Sequence, residues 1–190
     1  MSNDRTHVLR LNGMYELPQL LDSPAVVRMV VGGWRLAGIM SYLSGTPITV
    51  VSGVDRALTG CGNGCSGQRP DLNGDPTLPD NRSTEEKIAR YFDTSATVWT
   101  LPALGQYGNA PRSMSSFRGP GRFSTDMSLT KIFRLSSTNS QRFELRLEAF
   151  NVFDQLLLGM PNADRNTATF GSITTASAPR VVQIAARFDF

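Results

Sequence analysis

The sequence predicts an all-β chain: an antiparallel up-and-down transmembrane β-barrel segment of about five strands, open as an isolated chain, with long external loops. Three observations carry this. Five segments alternate apolar and polar residues with period two, the mark of a strand with one apolar and one polar face. Most are about ten residues long, the length of a tilted membrane-crossing strand. The connections between them run moderate, very long, short, long, as in barrels with short periplasmic turns and long outer loops. An ordinary soluble β-domain is the other reading that alternation leaves open.

The elements follow in chain order. In Thr6–Leu17, Leu9, Leu11, Tyr15 and Leu17 oppose Thr6, Arg10, Asn12 and Glu16. In Trp34–Val50, Trp34, Leu36, Met40, Tyr42, Ile48 and Val50 share a face against Arg35, Ala37, Ser41 and Thr49. In Ser124–Leu135, Met127, Leu129, Phe133 and Leu135 oppose Asp126, Ser128, Thr130 and Arg134; Lys131 is the misfit, a charge on the apolar side. In Arg142–Phe153, Phe143, Leu145, Leu147 and Ala149 oppose Arg142, Glu144, Arg146 and Glu148. A helix would wrap those charges around its cylinder instead of lining them up. Arg180–Phe190 sets Val182, Ile184, Ala186, Phe188 and Phe190 against Val181, Gln183, Ala185, Arg187 and Asp189.

Residues 1–190 read as one barrel segment. Pro18–Gly33 has room for a helical turn around Leu20–Leu21, and Ser136–Gln141 is a short polar turn. The long loops are 52–123 and 154–179. The first holds both cysteines and one short helix near 84–91, with Ser83 as its cap and Glu85 and Glu86 in its first turn. A C-terminus on the periplasmic side then puts both long loops outside, and Ser124–Leu135 and Arg142–Phe153 form a hairpin with Arg134 near Glu144.

Composition excludes several classes. Charged residues make up 18% of the 190, against about 25% in soluble domains. No apolar run approaches the 20 or so residues of a membrane helix, which leaves a barrel untouched. The net charge is +3, carried mostly by scattered arginines rather than a basic stripe, so nucleic acid is not an expected partner. Met1–Thr6 lacks the apolar core of a signal peptide. The expectation is the back end of a longer protein.

Candidate chemistry is sparse. Cys61 and Cys65, two glycines apart in C-G-N-G-C, suit a small disulfide in an external, oxidising loop. A metal would need about two more soft ligands, and free thiols are the remaining alternative. Asp71, Asn73 and Asp75 open like a calcium loop, but Arg82 stands where its last glutamate belongs, so an Asx-rich turn is expected. The glycine-rich 118–122 stretch leads into a strand, not a helix, and lacks the dipole of an anion site. His7 is the only histidine, near the chain start, so no catalytic triad, cofactor or metal is expected and the chain reads as non-enzymatic. Arg134, Arg142, Glu144, Arg146, Glu148 and Arg187 are candidate lumen-face charges.

Taken in order, GGWRLAGIMSYLSGTPITV at 32–50, RPDLNGDP at 69–76, YFDTSA at 91–96, the 105–135 stretch ending TDMSLTKIFRL, RFELRLEAFNVFDQ at 142–155 and FGSITTASAPRVVQIAARFDF at 170–190 resemble the C-terminal part of TonB-dependent receptors. The likeness is to their Oar-like branch, which carries a carboxypeptidase-regulatory-like N-terminal domain. It implies a 22-stranded barrel in the bacterial outer membrane, plugged by an N-terminal domain. External loops would capture a ligand, which passes through a plug-gated barrel energised by TonB in the full-length protein. The aromatic ending, Phe188 and Phe190, resembles the signal read by the barrel-assembly machinery. Outer-membrane lipid and that machinery are the implied partners. A surface adhesin on the same scaffold, or a soluble all-β binding domain, are the alternatives.

Overall fold

The structure, a computed structural model, describes residues 4–18, 20, 22–62, 65–135 and 141–190. Where the sequence reads as one segment with two loops, the chain divides into two compact units. One is made of Val8–Leu43, Phe123–Leu156 and Ala178–Phe190; the other of Met1–His7, Ser44–Arg122 and Leu157–Ser177.

The first of these is a sheet. Its strands are β1 (Val8–Glu16), β2 (Trp34–Leu43), β5 (Arg122–Arg134), β6 (Arg142–Phe150) and β7 (Val181–Asp189), in the order β1-β2-β5-β6-β7. Sequential order makes this the up-and-down topology of a barrel wall. Both edges, β1 and β7, have a single neighbour, so the sheet is not closed. The antiparallel order sends the two long connections from one end of the strands and the two shorter ones from the other.

Register shows why these residues choose strands. Leu9 opposes Tyr42, Leu11 opposes Met40 and Tyr15 opposes Leu36. Leu129, Leu147 and Ile184 form one row, and Phe133, Phe143 and Phe188 another. Period two therefore stacks like on like across neighbouring strands, the contact from which sheets draw their stability. Much of this apolar face is open: Ile184 is 73% exposed, Leu11 51% and Phe188 52%.

Two strands end earlier than their alternation suggests. β2 stops at Leu43 rather than Val50. Beyond it, Thr46 and Ile48 pair with Phe117 and Gly119 across the Pro47–Arg118 bridge. Gly45 makes this possible, since a Cβ there would lie 1.8 Å from the Gly119 carbonyl oxygen. β6 stops at Phe150 rather than Phe153 because Asn151 turns left-handed, at φ 51°. Its side chain exchanges two hydrogen bonds with the Gln155 backbone, a local alternative to the ladder. The helical turn lies later than expected, as α1 (Ala25–Val30), and Leu21 is outside the described residues. Of the expected turn Ser136–Gln141, only Gln141 is described.

The second unit has its own core. Ile48, Val50, Phe92, Trp99, Ala110 and Phe117 are all at most 2% exposed. Phe92 is the hub: its ring centroid lies 5.1 Å from that of Phe117, 5.2 Å from Phe170 and 6.3 Å from Trp99, all edge-on. The buried Trp99 indole donates to the Asp93 carbonyl at 2.7 Å. A short pair, β3 (Asp71–Leu72) with β4 (Trp99–Thr100), frames this core. Helix α2 (Thr84–Ala89) starts on a full capping box: Ser83 accepts from the Glu86 N–H while the Glu86 carboxylate accepts from the Ser83 N–H.

Candidate functional site

The charges expected on one face are on one face. Register sets Arg134 opposite Arg142, Arg142 opposite Asp189, Glu144 opposite Arg187 and Glu148 opposite Gln183, all away from the Phe143–Leu145–Leu147 side. Register sets the direct partners of these charges. Arg134 faces Arg142, while Ile132 stands opposite Glu144. Glu144 instead accepts from Arg146, two residues along its own strand, at 2.9 Å. Arg146 also lies 3.6 Å from Glu148, and Asp189 takes both Arg142 at 2.6 Å and Arg187 at 2.8 Å. Residues two apart on a strand share a face, so such same-strand pairs need no particular register.

The misfit Lys131 has a physical account. It is 4% exposed. Its ammonium donates to the Val30 carbonyl at 3.4 Å and to the Gly32 carbonyl, at the C-terminal end of α1. It lies 5.0 Å from the Trp34 ring centroid and 5.4 Å from that of Phe133. Carbonyls at a helix C-terminus and aromatic faces both attract a cation. Gly33, at φ 71°, allows the tight turn that presents those carbonyls.

In the other unit, Cys61 and Cys65 are joined by a disulfide. Beside it stands a hub that sequence reasoning missed. Gln68, 5% exposed, donates to Asp55 at 2.6 Å and to the Thr59 hydroxyl at 3.0 Å. Its carbonyl accepts from the Arg56 and Ala57 N–H groups. Asp55 also accepts the N–H groups of Thr59 and Gly60. Among the described residues, Asp55, Cys61 and Cys65 bring potential ligand atoms within 4.8 Å of one another. The disulfide consumes both thiolates that a soft metal would need. Asp71, Asn73 and Asp75 do not converge on a cation: Asp71 accepts from the Asn109 N–H, Asn73 donates to Thr100, and Asp75 accepts from Thr77.

The hydrogen bonds from the Thr59 backbone and the Gln68 amide hold the Asp55 carboxyl down at about 2, below its ordinary 3.8. A depressed carboxyl stabilises the fold above its unfolded value and loses that contribution as pH falls through its folded value. Amide-exchange protection at Thr59 and Gly60 is therefore expected to hold above pH 4 and to drop between about 4 and 2. In Asp55→Asn the drop disappears; an identical profile in that variant overturns this account.

The same unit carries a cleft of about 460 Å³ lined by Pro47, Thr49, Val51, Ser66, Gly67, Arg69, Arg112 and Ser113. Thr49 donates its hydroxyl to the Arg112 carbonyl, and Arg69 donates Nε–H to the Ala110 carbonyl at 2.6 Å. The cleft brings together residues far apart in sequence that no motif marked.

Residues 1–183 match the family described as Outer membrane beta barrel domain. The chain belongs to that family. No curated protein and no solved structure matches it. For an outer membrane beta barrel domain, an uncovered apolar face and a charged opposite face are the required arrangement: one meets lipid, the other the aqueous lumen. Of the two readings that alternation left open, the match decides for the outer-membrane protein. In hydrocarbon, the unpaired backbone groups of the edges β1 and β7 would cost several kcal/mol each, and only closure removes them.

Proposed function

We propose that this outer-membrane barrel segment belongs to a TonB-dependent receptor of the Oar-like branch and has no enzymatic role. The observation that carries the reading is the pairing of an unclosed five-strand wall with long connections that fold around their own aromatic core. A wall of five strands is short of the eight or so that close a small barrel. A wall whose edges are β1 and β7 is completed by further strands on both sides. Connections with a buried core present a fixed surface, as ligand capture requires, where flexible loops would lose binding energy to ordering. The stretches from 32–50 to 170–190 that resemble the receptor family support the assignment. In the complete protein the loops take the ligand, a plug gates the barrel and TonB supplies the energy. Phe188 and Phe190 are the contacts offered to the barrel-assembly machinery.

The test is the genomic reading frame upstream of Met1, followed by photo-crosslinking of the expressed protein to TonB in cells. An in-frame plug domain, a signal peptide and a TonB crosslink are expected. A stop codon immediately upstream, or an adhesion activity that persists in cells lacking TonB, overturns the receptor reading; the latter supports an adhesin on the same scaffold.

A further inference from the structure

We propose that the cleft between Arg69 and Arg112 binds a small organic oxyanion, a carboxylate whose apolar body lies against Pro47 and Val51. This deepens the receptor reading, on which its biological role rests. Binding in the cleft is measured without uptake, so failure of one is distinguishable from failure of the other.

Four observations support it. The cleft is open to solvent on one side and measures about 460 Å³, a volume that accommodates a small ligand. Arg69 and Arg112 are among the residues that line it, and no Asp or Glu is. Several other arginines of this unit are engaged. Arg118 holds the Asp4 carboxylate at 2.9 Å, Arg56 the Pro102 carbonyl, Arg82 the Arg90 and Tyr91 carbonyls, and Arg165 the Trp99 carbonyl. Arg69 is tethered through Nε alone, which fixes its plane and leaves its terminal nitrogens without a protein acceptor among the described residues. The Arg112 side chain has neither an ion pair nor a hydrogen bond among the described residues, although its backbone is held by Thr49.

Two arginines lining a cleft without an acidic residue leave a positive charge uncompensated there, and the fork-shaped donor set of a guanidinium matches the two oxygens of a carboxylate. Ser66 and Ser113 add hydroxyl donors for the remaining lone pairs. Pro47 and Val51 add apolar side chains to the lining, so a ligand that fills the cleft carries an apolar portion. By contrast, the cleft of about 270 Å³ at the ends of β1, β2, β5 and β6 contains Glu16, already bonded to Arg35 at 2.7 Å, and has its own internal counter-charge.

The test is isothermal titration of the full chain in detergent with benzoate, its neutral isostere benzamide, and inorganic phosphate. Benzoate is expected to bind saturably, phosphate more weakly and benzamide not at all. Arg112→Gln removes one charged fork from an exposed side chain that bonds nothing in the fold. It is expected to weaken benzoate by about tenfold, with Arg112→Lys intermediate. Raising the salt concentration reads the same charge without any substitution and is expected to weaken benzoate binding to the unmodified chain. Benzamide or phosphate binding as tightly as benzoate, unchanged benzoate affinity in Arg112→Gln, or salt-independent binding each overturns the proposal.

Discussion

Replacing Phe92 by alanine is expected to destabilise the unit built from 44–122 and 157–177 by about 3–5 kcal/mol, the cost of deleting a fully buried aromatic ring. Phe92 is 1% exposed and touches three other aromatic rings edge-on. Each such pair contributes about 0.5–1.5 kcal/mol beyond its buried area. Collapse around the gap is hindered because the ring sits against backbone: a Cβ built on Gly171 would already lie 3.6 Å from the Phe92 ring and 2.3 Å from Thr94. The loss is read from amide exchange at Ile48 and Ala110, whose N–H groups bond the Phe117 and Pro70 carbonyls, and from the fluorescence of Trp99 during unfolding. Phe92→Leu keeps most of the volume and is expected to cost less. Protection at Ile48 and Ala110 unchanged in Phe92→Ala would mean that these connections have no cooperative core.

That core was the part of the fold least visible in the sequence. The strands were legible because a wall with lipid on one side and water on the other imposes period two on every strand, and Leu129, Leu147 and Ile184 report it independently. The same logic misread Ile48 and Val50. They continue the phase of Trp34–Tyr42, yet they are buried in the other unit, because Gly45 and Pro47 end the ladder and redirect the chain. Periodicity reports that a face is apolar but not which core it joins. Phe92, Trp99, Phe117 and Phe170 lie in two stretches that meet only in the folded chain, so no window contains their pattern. The buried aromatics of 91–99 and 117 were the available signal, since solvent-exposed loops rarely need them.

The site residues divide in the same way. Faces were legible and partners were not. Arg134 lies on the expected side, and the hairpin register puts Arg142 directly across from it, with Glu144 two residues further along that strand on the same face. A register is fixed by the turn and by side-chain packing along the whole hairpin, not by one charge pair worth a few tenths of a kcal/mol. Lys131 looked like a fault in the pattern and is a bond to the end of α1, visible only once the chain between β1 and β2 is folded. Arg69 and Arg112 line one cleft because the Arg69 side chain bonds the Ala110 carbonyl and the Thr49 hydroxyl bonds the Arg112 carbonyl, tertiary contacts that no local motif encodes.

Introducing arginine at Leu147 is expected to cost about 2–4 kcal/mol in a phospholipid bilayer, the penalty for a cation on the lipid face near the midplane of a barrel. Leu147 occupies the central row of β6, between Leu129 and Ile184, and is 43% exposed with only aliphatic neighbours across the ladder. A guanidinium there has no carboxylate on its own face, because Arg146 and Glu148 point the other way. Arginine at Gln183 is the matched control. That position is on the polar face opposite Glu148, to which Gln183 already donates, so an added cation gains a partner and the expected change is within about 0.5 kcal/mol. The comparison is made by guanidinium unfolding of the complete barrel protein reconstituted in vesicles, with tryptophan fluorescence as the readout. Two variants that add the same charge, one on each face of the same pair of strands, then differ by several kcal/mol only if one face meets hydrocarbon. Equal costs would place water on both sides of the sheet and remove the barrel wall from the membrane.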